Sequence, residues 1–188
     1  MSDSSEYIRS RELLSRDDSR LLIVDVQEKF VPVIPVAGQL IANCRKLIQG
    51  AQVLGVPVDA TEQYPRGLGT TVPDLAELLD DRPEKLRFSC AECLTWAAAR
   101  DGDRCKVVVA GIETHVCVLQ TALDLMAAGY EVYLPADALA SRRKQDWRIA
   151  LERLANSGAV ITTTEAVLFE WCEVAGTEEF KEISRLVK

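Results

Sequence analysis

The stretch CKVVVAGIETHVCVLQTALDL, residues 105–125, decides the fold. It opens with CKVVVAGI (105–112), a nearly continuous apolar run, which is the pattern of a strand buried on both faces of a sheet. A helical pattern follows. Thr114 reads as its N-cap, Val116, Leu119, Leu123 and Met126 recur at spacings of three and four as its core stripe, and Gly129 stops it after Ala128. A buried strand that feeds an amphipathic helix is half of a βαβ unit, and such units make parallel sheets.

The same alternation extends in both directions. Upstream, LLIVDV (21–26) reads as the first strand. A helix follows, with Val36, Leu40, Ile41, Cys44, Leu47, Ile48, Ala51 and Leu54 on one face, closed by Gly55 and Pro57. VPVDAT (56–61) is a second strand. The Gly- and Pro-rich loop EQYPRGLGTTVPD (62–74) after it has the length and punctuation of a functional loop. A short helix is expected over Val72–Leu79, a third strand over Lys85–Phe88, and a helix over Cys90–Arg100 capped by Ser89. Downstream, YEVYLPADA (130–138) and AVITT (159–163) are the fifth and sixth strands, with a helix over Gln145–Asn156 between them. Helices after Thr164 and from Glu178 close the chain. The pattern predicts an α/β, Rossmann-like, doubly wound three-layer sandwich. Its six-stranded parallel sheet would have the order 3-2-1-4-5-6. Residues 1–18 read as a polar, partly helical N-terminal extension, and 19–188 as a single domain.

Bulk composition narrows the function classes. The 22 Lys and Arg against 29 Asp and Glu leave a formal charge of −7, which lacks the electrostatic footprint of a nucleic-acid or anionic-membrane binder. The short basic cluster Arg142, Arg143 and Lys144 reads as a solvated helix approach. No apolar run nears the roughly 18 residues of a membrane span, and the N-terminus has no signal-peptide core, so a cytoplasmic protein is expected. Six cysteines without a secretory signal are expected to be reduced thiols. One CxxC, at Cys90 and Cys93, and one histidine do not make a zinc site. No cofactor is expected.

In a doubly wound sheet ligands bind beyond the carboxyl ends of the strands, at the switch between strands 1 and 4. Asp25 and Cys117 fall there. A carboxylate inside LLIVDV is costly unless paired; it is either a structural cap or a base tuned by its neighbours. Free cysteines are often simply buried, and Cys44 and Cys105 suit that reading. Cys117 lies off the expected core stripe and near the third helical position, where unpaired N–H groups and the helix dipole favour a thiolate. His115 is two residues away, and residues i and i+2 do not face each other on a helix, so a Cys–His pair is not expected. It should point to the surface, the pocket rim or a neighbouring subunit. Asp25 is the topologically nearest base, and Lys85 in RPEKLRFSC lies on the same side of the sheet.

Taken together, LLIVDVQEKFVPVI, KLRFS and GIETHVCVLQTALDL resemble the three catalytic blocks of the isochorismatase-like cysteine hydrolases. TEQYPRGLG and TTTEAVLFEW resemble the isochorismatase domain-containing subgroup. The resemblance implies a catalytic triad of Asp25, Lys85 and Cys117. It implies a non-proline cis peptide at Ile112–Glu113, with oxyanion donors there and at the Cys117 N–H. It also implies amidase-type cleavage of a small molecule through a thioester, and a homo-oligomer. Gln27, Phe30, Gln63, Tyr64 and Phe88 are the expected substrate-side residues, Phe30 matching a substrate-side aromatic of relatives. Nicotinamidases hold a metal with an Asp and two histidines; with His115 alone, neither a metal nor that activity is expected. Three alternatives stand beside this reading: vinyl ether hydrolysis of the true isochorismatase type, a non-catalytic binding protein, and a redox protein using Cys90 and Cys93.

Overall fold

The computed structural model describes residues 7–96 and 104–188. Its centre is the pair β1 (Ser19–Val24) and β4 (Lys106–Ile112), parallel and in register from Ser19 opposite Lys106 to Val24 opposite Gly111. On one flank lie β2 (Val58–Gln63) and β3 (Glu84–Lys85), on the other β5 (Glu131–Pro135) and β7 (Val160–Thr162). The order is β3-β2-β1-β4-β5-β7, and the two-residue β6 (Leu139–Ala140) pairs with the end of β4. The doubly wound parallel sheet is therefore as expected. It has seven strands rather than six, because the run 130–138 ends at Pro135, makes a 3-10 turn over Ala136–Ala138 and re-enters as β6.

Alternate residues of the central strands face opposite layers, which is why their sequences are apolar throughout. Leu21, Ile23, Val108, Ala110 and Ile112 pack with α1 (Ala37–Leu54), α6 (Thr164–Cys172) and α7 (Glu178–Val187). Leu22, Val24, Val107 and Val109 pack with α4 (Leu119–Ala127) and α5 (Lys144–Asn156). Cys44 is fully buried on α1, while Cys105 is only partly buried. Gly55 closes α1 in the left-handed conformation, φ 72°, which glycine adopts without steric cost.

Residues 7–18 are docked rather than free, and carry no helix. Leu14 is fully buried, and Lys106 Nζ donates to the carbonyls of Arg11 and Leu13 and to Asp18 Oδ2. Between β2 and β3 lie two single turns, α2 (Pro65–Leu68) and α3 (Pro73–Ala76), the second shorter than the expected Val72–Leu79. The strand expected over Lys85–Phe88 stops at Lys85. The Lys85 ammonium draws the carbonyls of Arg87 and Phe88 back toward itself, which leaves Leu86 and Phe88 exposed. The helix expected from Cys90 is a 3-10 turn, Ala91–Cys93, with Ser89 Oγ accepting from the Ala91 N–H. Leu94 to Trp96 are not helical, and the expected continuation to Arg100 lies outside the described residues.

Gly111 sits opposite Val24 at the carboxyl ends of β4 and β1. Its φ is 123°, and a Cβ there would collide with the Val24 carbonyl oxygen and stand 2.8 Å from the Val24 nitrogen. Gly111→Ala is therefore expected to lower stability by about 2–4 kcal/mol. Urea unfolding checks this. Because Val24 precedes Asp25, the same variant should also disturb the site described next.

Candidate active site

Asp25 leaves β1 in a left-handed conformation, φ 51°, a region that Asp tolerates better than most residues. Its side chain is fully buried at the carboxyl end of the sheet. Lys85 reaches it from β3: Nζ lies 2.7 Å from Asp25 Oδ2, and both side chains are 0% exposed. The ammonium also donates to Gln63 Oε1 at 2.7 Å and to the Phe88 carbonyl at 3.0 Å. The other carboxylate oxygen, Oδ1, accepts from Thr61 Oγ1 at 2.8 Å. Cys117 approaches from the turn after β4, close enough to the same carboxylate for the two groups to shift each other's ionisation. The topology thus brings together all three residues singled out for chemistry, from three separate strand ends.

The turn that presents Cys117 differs from the expected N-cap. Thr114 caps nothing, and among the described residues its buried hydroxyl has no partner. The N-cap position belongs to Glu113, after a cis Ile112–Glu113 peptide, and Thr114–Val118 is a π turn. The wider turn rotates the helix relative to a regular one. Its buried side is Cys117, Val118, Leu119, Thr121, Ala122 and Leu125; of the expected stripe Leu119 is buried, while Val116, Leu123 and Met126 are only partly so. Cys117 is therefore on the buried face, 3% exposed, not off it.

That burial changes its ionisation. Loss of hydration, and then the negative charge of Asp25, push the Cys117 thiol well above its ordinary 9.0, with Lys85 opposing. Burial also raises Asp25 above its ordinary 3.8, and the charge and hydrogen bond of Lys85 pull it part of the way back. For Lys85, burial favours the neutral amine, but the charge and hydrogen bond of Asp25 work against it and the net direction is up. The 2.7 Å contact fits an ammonium against a carboxylate, and the raised thiol favours protonated Cys117 beside them. The thiolate expected from the helix dipole is not the ground state.

His115 Nδ1 lies 3.0 Å from Ser141 Oγ, and Nε2 stands 4.0 Å from Asp146 Oδ2. It faces α5 rather than Cys117. The buried Glu113 accepts from the backbone N–H and Nε of Arg142, at 3.1 and 3.0 Å, which pins the turn before the nucleophile to the approach of α5. Arg142 thus has a structural partner that a purely solvated basic cluster would lack.

The expected substrate-side residues divide. Gln27 is fully buried and fully used: Nε2 donates to the Gln63 and Gly69 carbonyls, and Oε1 accepts from the Gln63 N–H. It ties the 62–74 loop to β1 and has no free polar atom for a ligand. Gln63 holds Lys85 and donates to the Leu86 carbonyl at 3.0 Å, so it orders the ammonium. Phe30 is partly buried against the α1 side of the core. Tyr64 and Phe88 are about half exposed, and the Tyr64 N–H donates to the Lys85 carbonyl at 2.9 Å. Thr61 is absent from the expected site, and Cys90 enters it as a neighbour of Asp25 and Lys85 rather than as half of a CxxC redox pair. The opposition of Val24 and Thr61 across β1 and β2 is the signal that could have found Thr61, since it sets the two strand ends side by side.

Elsewhere, a cavity of about 500 Å³ opens between the start of α1 and the start of α5, lined by Val36, Leu40, Leu139, Ser141 and Trp147 among others. It is not lined by Asp25, Lys85 or Cys117; Ser141, the partner of His115, is its link to the nucleophile turn. Among the described residues no cluster of three or more His, Cys, Asp or Glu is arranged to hold a metal, and no helix is long and apolar enough to cross a membrane.

The isochorismatase domain matches residues 19–166. The chain is 42% identical over 179 residues to isochorismatase domain-containing protein 1 of Danio rerio, covering 93% of this chain and 62% of that protein. It thus spans less than two thirds of that relative's length. It is 40% identical over 175 residues to isochorismatase domain-containing protein 2 of Danio rerio, covering 93% and 89% of the two chains. The solved structure of MAR1 ribonuclease from Caenorhabditis elegans superposes with a TM-score of 0.84 at 36% identity, covering 93% of this chain and 92% of that one.

Proposed function

This chain belongs to the isochorismatase family, and we propose that it is a cysteine-dependent hydrolase cleaving a C–N bond of amide type in a small molecule. The observation that carries the reading is the buried 2.7 Å contact between Lys85 Nζ and Asp25 Oδ2; the electrostatic coupling of the Cys117 thiol to that carboxylate supports it. A carboxylate that is raised by burial yet held ionised by an ammonium is a proton acceptor of adjustable strength.

In the proposed reaction Asp25 takes the Cys117 proton as sulfur attacks the carbonyl carbon. The negative oxygen forms against the backbone N–H groups of Glu113 and Cys117. The C–N bond breaks, Asp25 gives its proton to the leaving nitrogen, and a thioester remains on Cys117. Water then loses a proton to Asp25 and attacks the thioester. The C–S bond breaks, the acid leaves and the thiol recovers its proton. Lys85 keeps Asp25 charged between transfers, and Gln63 keeps Lys85 in place. The written steps use no metal and no cofactor. Phe30, Tyr64 and Phe88 form the apolar wall.

Supporting features extend to the setting. Tyr64, Leu86 and Phe88 are 50%, 76% and 51% exposed beside the site, an apolar rim that suits cover by a second copy in a homo-oligomer. Six unpaired thiols suit a reducing, cytoplasmic compartment. The charge of −7 argues against a nucleic-acid substrate.

Iodoacetamide labelling of each cysteine against pH, read by peptide mass spectrometry, tests the base without knowing the substrate. Proton transfer within the Asp25–Cys117 pair yields a reactive sulfur at any pH where the pair holds one proton. Cys117 labelling should therefore show a plateau bounded by an acid limb that lies above the ordinary carboxylate value of 3.8. Asp25→Asn should replace it with a single thiol limb. A wild-type profile already lacking the plateau, and unchanged by Asp25→Asn, sinks the reading.

A further inference from the structure

We propose that Cys90 is a positioning residue of this site: its thiol donates to the Thr61 hydroxyl and so fixes the Thr61 proton on Oδ1 of Asp25. The inference rests on the reading of Asp25 as the base.

Proton counting carries it. Thr61 Oγ1 lies 2.8 Å from Asp25 Oδ1 and 3.2 Å from Cys90 Sγ. An ionised carboxylate can only accept, and a hydroxyl has one proton, so that proton is committed to Oδ1. The Thr61–Cys90 contact then has a single possible donor, the Cys90 S–H. Cys90 is fully buried, and burial followed by the charge of Asp25 pushes its thiol up to about 11, so the donor form prevails at neutral pH.

The thiol is in turn held from the nucleophile's helix. The Cys90 N–H donates at 2.9 Å to Thr121 Oγ1. Thr121 lies four residues after Cys117, so this bond anchors Cys90 to the nucleophile's helix while its thiol donates to Thr61 and Thr61 donates to Asp25. Each bond in such a chain polarises the next. Cys90 also follows Phe88, whose carbonyl holds Lys85, so it ties together the strand end of the base, the loop of the cation and the helix of the nucleophile.

Removing the S–H frees the Thr61 hydroxyl to turn away from Oδ1. The Thr61 hydrogen bond favours the charged carboxylate, so weakening it moves Asp25 further up. In Cys90→Ala the acid limb of Cys117 labelling should shift to higher pH, and the rate at a fixed pH on that limb should fall about two- to threefold. Cys90→Ser restores a donor and should return the limb to its wild-type position. A role in packing alone predicts no such rescue, since serine is the more polar replacement in an apolar cluster. If Cys90→Ala does not fold, Cys90→Val against Cys90→Ser makes the same comparison of non-donor with donor.

A Cys90→Ala limb that coincides with the wild type, while Asp25→Asn abolishes the plateau, overturns the inference and leaves the base standing. Alanine and serine limbs displaced equally overturn it too. A profile indifferent to Asp25→Asn removes the base reading and this inference with it.

Discussion

Lys85→Met lowers the stability of the fold by about 3–5 kcal/mol at pH 7, the usual cost of stranding one member of a buried ion pair. The magnitude follows from burial. Both side chains are 0% exposed, so water cannot take the place of the lysine. Asp25 keeps the Thr61 hydrogen bond but loses its counter-charge. Gln63 Oε1 and the Phe88 carbonyl lose their donor at the same time.

The sign of the pH dependence separates this cause from simple loss of packing. Without Lys85, burial loses the strongest influence that opposes it, the Thr61 hydrogen bond remains, and the folded pKa of Asp25 rises further. A carboxylate whose folded pKa exceeds its unfolded one contributes stability below the unfolded value, 3.8, and loses it as pH rises through the folded value. The deficit of Lys85→Met should therefore be largest at neutral pH and shrink as the solution is acidified. The double variant Lys85→Met with Asp25→Asn removes the charge and should recover much of the loss at neutral pH. Asparagine is suited to this comparison because it also tolerates the left-handed φ of 51° at position 25. Denaturant unfolding from pH 4 to 8 reads all three proteins. A deficit that is flat with pH, or a double variant no better than the single, would show that the pair is not charged in the native state.

What could be read in advance follows from how far each signal reaches. CKVVVAGI and LLIVDV are apolar on both faces, and only a central parallel position buries both, so the centre of the sheet followed from local pattern. Asp25 stood out because it interrupts one of those runs. Lys85 was harder: its reach to Asp25 depends on a chain that curls back on itself over Arg87 and Phe88, and the same curl removed the expected strand. Gln27 and Gln63 were assigned to the ligand because polar side chains near a predicted site look alike in sequence; their mutual hydrogen bonds depend on the register of a loop with β1. The stripe Val116, Leu119, Leu123 and Met126 assumed a regular helix, and the π turn at Thr114–Val118 shifts the buried face by about one residue. Cys90 and Thr61 are ordinary core residues by composition. Only their distances, 3.2 Å to each other and 2.8 Å from Thr61 to Asp25, make them part of the site.

Cys117→Ala is expected to abolish the proposed hydrolysis, and Asp25→Asn to lower it by about a thousandfold or more, the range in which a residue acting as part of a catalytic unit is lost. The two variants fail for different reasons, and the difference is measurable. Alanine has no nucleophile, so no acyl adduct should form on the residue-117 peptide with any carboxamide in a panel of small amides. Asparagine leaves the sulfur next to Lys85 and removes the charge that most strongly opposes its ionisation after burial itself. That variant should alkylate readily at mildly alkaline pH while failing to release amine, because nothing returns a proton to the leaving nitrogen. A raised reactivity toward iodoacetamide together with a collapsed hydrolysis rate is the signature of Asp25 as the proton carrier rather than as a structural cap. If Asp25→Asn instead hydrolyses an amide at the wild-type rate, the base lies elsewhere. If Cys117→Ala still cleaves a vinyl ether, the sulfur is a bystander and the chemistry is of the isochorismatase type. In the wild type, kcat/KM should rise with pH along the same acid limb as Cys117 labelling, since both require one proton on the Asp25–Cys117 pair and a charged Lys85 beside it. Two limbs at different pH would mean that the group controlling hydrolysis is not the one that faces Cys117.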